Sequence, residues 1–567
     1  MKSRRAEGPS QQATKGDGLS HTVLPTRFCR FTSVGDKVRV VALILIAIAP
    51  CAYLAWTWRS MPQLGFYHDD AINWVSAKSL AEGAGYRIAS LPQQPFQTKY
   101  PPVFPALLAL VWKINPAFPF NLPLATLAVW LAFPFYVLLV FLLLRQYGFG
   151  NIQASILTLL AALNPFAAML SISLMPEMLF TVLLLALLIL AEQALRPESR
   201  TWLVALAGAL AGLAYLTKSA ALPLSIAVPL CFALRKQYKR GLLFAGCMFP
   251  AIAGWQLWVL THASRGHDLV TLYYTNYFGF QLYNVKWFDL PRVIWFNLDA
   301  LLKGIGRLLV FDTAIGESVH FERVIAIGAI AGVIRLARRS GRLQYPMAAA
   351  AMTAVLLVWH YEPDQRFVFP LYPLLLAGLW TELSNIVTAL RKSWEKRAVP
   401  DRIAAGIGAA ILAAFGIFVA FTHVYGDFVF LPKLLAAYRS DFRDLHPVYS
   451  WVAENTPEQA SLYGYDDPLI YLYTGRRASG LPIPTKLYYH EDEAGIDRLL
   501  RDLPSFSEEQ HLDYVLLSTR DFYRDLHEKR ARLLQKAIEQ NPQFEKVYGR
   551  SDAEVFHRIS RQSHLLN

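Results

Sequence analysis

The chain is poor in charge. Asp, Glu, Lys and Arg make up 17% of its 567 residues, against roughly 25% in an ordinary soluble domain. Hydrophobic residues make up 54% and the mean hydropathy is +0.29. A disordered chain needs the reverse balance and is excluded. The four cysteines, Cys29, Cys51, Cys231 and Cys247, are too few to staple a small disulfide scaffold. No Cys/His spacing of a zinc site occurs. There is no GxGxxG and no P-loop, so no nucleotide site is assigned. Glycine, at 32 residues, is far too sparse for a collagen-like repeat.

What remains is a net charge of +13, and its placement decides its meaning. Residues 427–567 hold 18 basic and 22 acidic side chains, a normal soluble density with net −4. Residues 1–426 hold 37 basic and 20 acidic side chains, far too few for a water-soluble body of that length. The main boundary therefore falls near 424–430.

Within 1–426, apolar runs alternate with short basic clusters. A bilayer core about 30 Å thick takes roughly 20 apolar residues per helix, and open sheets cannot cross it. Eleven spans are expected, at about 39–58, 120–144, 152–172, 177–195, 201–217, 220–234, 241–261, 321–337, 346–360, 367–387 and 403–423. The charge bias tests this independently, since Lys and Arg gather in cytoplasmic loops. With the N-terminus inside, the inner segments 1–39, Arg145, 196–200, 235–240, 335–342 and 391–402 together carry +18, and the rest of 1–426 carries −1. The expected fold is thus a polytopic α-helical membrane protein. It has a basic cytoplasmic tail (1–38), a transmembrane module (39–423) and an extracytoplasmic α/β domain (424–567). The first apolar run is too long for a cleaved signal peptide and has no small-residue cleavage site. Beside such a span a basic tail anchors topology, and nucleic acid is not an expected partner. All four cysteines avoid the predicted outer segments, so the outer domain is expected without a disulfide.

Chemistry is expected in the outer segments. The first loop, 59–119, carries GFYHDDAINWVSAKSLAEGAGY and then TKYPPVFPALLALVWKI. Its acid pair, Asp69-Asp70, follows the first span closely. Acids there suit a helix N-terminus, or one acts as a general base on an acceptor hydroxyl or amine. Residues 71–82 read as a short amphipathic helix lying on the membrane surface, ended by Gly83 and Gly85. Ionisable residues at membrane depth are costly and usually functional. Glu177 in SLMPEMLF, Lys218 in AYLTKSAALP and Arg366 in HYEPDQRFVFPLYPLLL are three of them. Each has a plainer reading: a dipole-stabilising acid, a snorkelling lysine, and an ion pair with Glu362 or Asp364. The topology puts all three on one side with Asp69, Asp70 and Lys99, a set suited to a lipid-linked phosphate. The second loop, 262–320, is aromatic, with Tyr273, Tyr274, Tyr277, Phe278, Phe280, Trp287, Phe288, Trp295 and Phe296 among its residues. It reads as an interfacial belt or as a wall for sugar rings or a lipid chain. His262 and His267 read as loop histidines.

In the last segment ASLYGYD, LDYVLLST and EVFHRI read as strands, and RDLHEKRARLLQKAIEQN as an amphipathic helix. Together they make a small α/β, Rossmann-like domain. Its acid pair Asp466-Asp467 reads as a helix N-cap.

Taken together, these motifs resemble those of the GT-C membrane glycosyltransferases. The resemblance is to the branch holding the protein O-mannosyltransferases and the lipid A aminoarabinose transferase. It rests on the acid pair of the first outer loop, the KYPP segment closing that loop, the PE opening the fourth span, the LTK after the fifth and the RF…P…P opening the tenth. WVAENTPEQA…YLYTGRRA is similar to the outer domain of bacterial members. The resemblance implies an inverting transfer of a sugar from a polyprenyl-phosphate carrier to a glycan, lipid or protein acceptor outside the cytoplasm. It implies a bacterial inner membrane, with membrane lipids around the protein. It makes Asp69 the general base and Asp70 its support, and puts Lys99 and Tyr100 of KYPP with Lys218 and Arg366 at the phosphate. Glu177 would be an acid behind them. Divalent-metal dependence varies across the superfamily, and no ligand cluster in the sequence decides it. The chain departs from the aminoarabinose-transferase pattern at Ile72-Asn73, where that type carries an arginine. It also lacks the repeat-domain insertion of eukaryotic mannosyltransferases. Two other classes compete: a transporter or flippase, which favours repeated halves, and a polysaccharide polymerase or ligase, which favours a large late catalytic loop.

Overall fold

The computed structural model describes residues 34–559 except 265, 267, 312–318, 360–361, 397, 520 and 522–526. The expected tail up to residue 33, with Cys29, and His267 lie outside the described residues.

The chain is a multi-pass membrane protein built on apolar helices. After α1 (Val34–Thr57) come α2 (Asp69–Ala81) and α3 (Val103–Ile114) of the first loop. Then follow α4 (Leu122–Trp130), α5 (Ala132–Gln146), α6 (Asn151–Ala162), α7 (Pro165–Ser171), α8 (Glu177–Ala194), α9 (Thr201–Thr217), α10 (Leu224–Leu234) and α11 (Tyr238–His262). The second loop folds as α12 (Leu269–Thr275), α13 (Tyr277–Gln281) and α14 (Leu290–Val310). The module continues through α15 (Val319–Ser340), α16 (Gln344–Leu356), α17 (Gln365–Val368), α18 (Tyr372–Glu395) and α19 (Val399–Tyr425).

Each of the eleven expected spans falls on helix. By length and hydropathy alone, six helices among the described residues are long and apolar enough to cross a membrane, or seven if the pair α6–α7 is one span. The difference has local causes. Asn164 caps α7 through the Phe166 and Ala167 amides, with Pro165 next, so α6 and α7 meet at 59°. The 17 residues of α9 reach about 25 Å at 1.5 Å per residue. In α15, Glu322, Arg323 and the terminal arginines dilute the apolar run. Some helices also cross closely. A Cβ on Gly332 of α15 would lie 1.9 Å from the Gly378 carbonyl oxygen of α18, a close approach that small residues permit.

Helix α19 does not stop at the predicted boundary. It passes through a π-helical turn, Gly426–Phe430, into α20 (Leu431–Asn455). The sheet lies wholly beyond it. Its strands are β1 (Ser461–Tyr463), β2 (Arg477–Ser479), β3 (Tyr514–Ser518), β4 (Phe544–Gly549) and β5 (Ala553–Arg558), in the order β2-β1-β3-β5-β4. β1 runs parallel to β2 and β3, whereas β5 is antiparallel to β3 and β4. Between the strands lie α21 (Asp467–Thr474), α22 (Thr485–Tyr489), α23 (Glu493–Arg501), α24 (Leu503–Glu509) and α25 (His527–Glu539). The three expected strands and the expected helix are present; β2 and β4 are additional.

One expectation is overturned. Helix α2 does not lie on a lipid surface, because Asp70 through Ala77 and Ser79 are all buried. It packs on α3 and on α21. Trp74 and Trp112 sit 4.7 Å apart, in a core that Leu469 of α21 joins.

Candidate active site

A cavity of about 940 Å³ opens where the first loop, the second loop, the membrane helices and the C-terminal region meet. Asp69, Lys99, Tyr100, Glu177, Lys218 and Arg366 all line it. Asp70 does not, and its side chain turns away. Its Oδ2 accepts from the Gly65 amide at 3.1 Å and its Oδ1 from the Ala71 amide at 2.9 Å. The acid pair of the sequence is thus split between a residue facing the cavity and one that closes the preceding turn.

The carboxylate of Asp69 is held on both oxygens. Tyr100 donates its hydroxyl to Oδ1 at 2.5 Å, and Arg366 donates Nη1 to Oδ2 at 2.9 Å. Burial alone would push the Asp69 carboxyl up. The Arg366 guanidinium and Lys99 ammonium, with the Tyr100 hydrogen bond, reverse this and hold it well below the usual carboxylate range. Asp70, with no such cation, is pushed by burial up to about 7, against the pull of its two backbone amides. Two neighbouring carboxyls thereby titrate far apart: Asp69 is anionic at neutral pH, whereas Asp70 holds its proton to much higher pH than an ordinary aspartate.

Arg366 does not make the expected side-chain bridge to Asp364, which instead caps α17 by accepting from the Arg366 amide. Its guanidinium reaches Asp69, and its Nε stands 3.7 Å from Glu177. Glu177, 1% exposed, takes Lys218 Nζ at 2.7 Å on the same oxygen. The result is one line, Lys218–Glu177–Arg366–Asp69, with two cations and two carboxylates drawn from four elements.

Lys99 is placed by its own segment. The buried Gln97 accepts from the Lys99 and Tyr100 amides at 2.9 and 3.1 Å, shaping the KYPP turn. Lys99 Nζ then donates to the Tyr273 carbonyl at 2.9 Å. The ammonium stands 4.4 Å from the Tyr273 ring centre, 5.1 Å from Tyr277 and 5.4 Å from Tyr100. Burial lowers its pKa to about 8, although Asp69 pulls the other way.

In the second loop Tyr273, Tyr274, Tyr277, Phe278 and Phe280 line the cavity, and Phe278 is also largely exposed, like Trp287, Phe288 and Trp295. His262 stacks on Trp258 at 3.6 Å. Among the described residues no three His, Cys, Asp or Glu side chains gather as metal ligands.

Sequence reasoning missed one cluster. Asp467, read as part of an N-cap, makes no cap bond. It accepts from Tyr274 at 2.5 Å, and its Oδ1 meets His68 Nε2 at 3.0 Å. Only a tertiary contact sets this arrangement, so no local pattern announced it.

A family model described as dolichyl-phosphate-mannose-protein mannosyltransferase matches residues 99–260. That stretch holds Lys99, Tyr100, Glu177 and Lys218. A sequence comparison with curated proteins returns no match. Among solved structures, ArnT from Cupriavidus metallidurans bound to undecaprenyl phosphate is similar at 14% identity and TM-score 0.51, covering 93% of this chain and 99% of that one. The apo state of the same protein gives 13% identity and TM-score 0.50, covering 92% and 98%. The oligosaccharyltransferase of Archaeoglobus fulgidus gives 16% and 0.46, covering 87% and 69%. The family model and these structures all belong to the GT-C superfamily, the group that the sequence motifs resemble.

Proposed function

We propose that this chain, which shares the fold of the GT-C membrane glycosyltransferases, moves a sugar from a polyprenyl-phosphate carrier to a glycan, lipid or protein acceptor with inversion. The carrying observation is the cavity itself: the Asp69 carboxylate beside Arg366, Lys99 and Lys218, with Glu177 between Lys218 and Arg366. On this reading the acceptor oxygen or nitrogen attacks the anomeric carbon from the side opposite the phosphate. The bond between that carbon and the phosphate oxygen breaks, and its electron pair leaves with the lipid phosphate. The acceptor's proton goes to Asp69. Attack opposite the leaving group inverts the anomeric centre.

The ground-state charge of Asp69 suits this part. Arg366 and Tyr100 keep the carboxylate deprotonated and aimed, and the acceptor proton becomes acidic only as its bond to carbon forms. Lys99, Lys218 and Arg366 would hold phosphate oxygens and the charge that develops on them. Tyr273 and Tyr277 beside Lys99 offer ring faces to the sugar. The basic inner loops support an orientation in which the site and the C-terminal region face the outside, and the resemblance of the motifs supports a bacterial inner membrane.

The test is transfer by purified protein in lipid vesicles, supplied with a polyprenyl-phosphate sugar and candidate acceptors. Asp69→Asn is expected to lose about 10²–10⁴-fold in turnover while still binding the carrier. Turnover by Asp69→Asn equal to the parent would overturn the base assignment, and no transfer from any lipid-monophosphate sugar would overturn the reaction class.

A further inference from the structure

His68, immediately before the candidate base, has a positive φ, 59°, with ψ −49°, at the centre of a tight turn in which the Asp69 amide donates to the Tyr67 carbonyl at 2.6 Å. A non-glycine residue stays there only when its surroundings hold it. What holds His68 comes from the far end of the chain. Its Nε2 meets Asp467 Oδ1 at 3.0 Å, and Tyr274 donates to that same oxygen at 2.5 Å. Tyr273 Oη stands 3.5 Å from the other ring nitrogen. Asp467 is fully buried, whereas His68 lines the cavity. Helix α21 grips the same turn a second time. Gly65, at φ +92°, has its Cα side filled by Leu469, whose Cδ1 would lie 2.5 Å from a Cβ there. Asp70 closes the turn from within through the Gly65 amide. The segment 65–70 that presents Asp69 is therefore fixed on one side by its own chain and on the other by α21.

We propose that Asp467 is a positioning residue of the transfer centre, holding His68 and through it the first turn of α2 from which Asp69 faces the cavity. This rests on the reading of Asp69 as the proton acceptor. It makes the C-terminal region a working part of the site. With Nε2–H given to Asp467, the Nδ1 of His68 is left towards the Tyr273 hydroxyl. Burial would lower the affinity of the imidazole for its proton, but Asp467, by hydrogen bond and charge, with Asp69 and Asp466, raises it above the ordinary histidine value. The groups facing His68 are thus Asp69 and Asp70 on its own segment, Tyr273 and Tyr274 on α12, and Asp466 and Asp467 at α21.

The experiment uses full-length protein with labelled histidine, in nanodiscs, and follows the His68 titration by NMR, assigned with His68→Gln. The expected midpoint lies above 6.5 in the parent and falls in Asp467→Asn. In the transfer assay, Asp467→Asn is expected to lose about 10-fold in kcat with the donor KM little changed, and its acid limb should move with the His68 midpoint. Tyr274→Phe, which leaves the carboxylate in place, should give a smaller loss, and Asp467→Glu should recover part of it. An unmoved His68 midpoint in Asp467→Asn overturns the proposal, as does unaltered kcat and pH profile in that variant. If Asp467→Asn does not fold, full activity and an unmoved midpoint in Tyr274→Phe overturn it. Absence of transfer by the parent protein would instead refute the proposed function, while the titration still decides whether the Asp467–His68 contact exists.

Discussion

Glu177→Gln separates two jobs that one carboxylate performs. Glu177 lies 2.7 Å from Lys218 and 3.7 Å from Arg366, and only 1% of it is exposed. Removing one charge from a buried pair costs about 3–5 kcal/mol. Glutamine keeps an acceptor oxygen for Lys218, so about 3 kcal/mol is expected, with Arg366 still answered by Asp69. The bound carrier reverses the sign. A phosphate among Lys99, Lys218 and Arg366 would sit near Glu177, and two like charges about 5 Å apart repel by roughly 3 kcal/mol at an effective dielectric constant near 20. Glutamine removes that repulsion, and the phosphate itself answers the cations. The expectation is a lower melting temperature for ligand-free Glu177→Gln, a gap to the parent that narrows at saturating polyprenyl phosphate, and carrier affinity equal to or tighter than the parent's. Thermal-shift fluorescence in detergent, titrated with the lipid phosphate, reads all three. An equal gap with and without lipid phosphate, or weaker carrier binding by the variant, would refute the view that Glu177 guards a phosphate site.

Three further outcomes follow from the same geometry. Lys99 has its pKa lowered to about 8 by burial, so its charge is present below that pH and lost above it. The kcat/KM for donor should therefore fall as pH rises through about 8, and Lys99→Arg should carry the plateau to higher pH. Asp70 faces away from the cavity, and asparagine keeps an acceptor oxygen for the Gly65 amide that closes the turn, so Asp70→Asn should keep turnover within about threefold. Its carboxyl is raised by burial to about 7, so the folded state holds a proton that the unfolded chain releases near 3.8. The associated stability is full below that lower value and is lost as pH rises towards 7, on the order of 4 kcal/mol. Denaturation of parent and Asp70→Asn across that window should show the parent's extra slope. Gly332→Ala places a Cβ 1.9 Å from the Gly378 carbonyl oxygen and should part α15 from α18. A loss of about 2 kcal/mol or more is expected, read as a lower melting temperature, whereas Ala at the open position Gly328 should cost little.

The division between what could be read in the sequence and what could not follows the range of the forces involved. Charge asymmetry between loops survives any detail of packing, so the basic clusters marked the membrane module and put Asp69, Lys99, Glu177, Lys218 and Arg366 on one side. The structure brings those five to one cavity. The amphipathic period of α25 and the apolar strands β1, β3 and β5 were legible for the same reason. β2 was not, because it has three residues and begins on an exposed arginine, and β4 alternates too weakly, with Glu545, Lys546 and Val547 all exposed. Helix α2 misled because its helically spaced Ile72, Val75, Ser76, Ser79 and Leu80 fit a surface helix as well as a buried one. In place, Ser76 meets the Gln97 amide and Ser79 donates to the Gly85 carbonyl, so both are satisfied in the interior. The two acid pairs carry the sharpest lesson. DD before a helix has one local signature, an acidic first turn, and it fits 69–70 and 466–467 equally well. Which acid of each pair does distant work depends on a rotation of about 100° per residue around the helix start and on which surface stands opposite. Asp69 meets Arg366, almost 300 positions later, and Asp467 meets His68, 399 positions earlier. Neither partner lies within the reach of a local pattern. Length and hydropathy alone pick out fewer spans than the charge pattern does for a related reason: α9 and α10 are short apolar helices, and helices enclosed by neighbours need less apolar length than a lone helix in lipid.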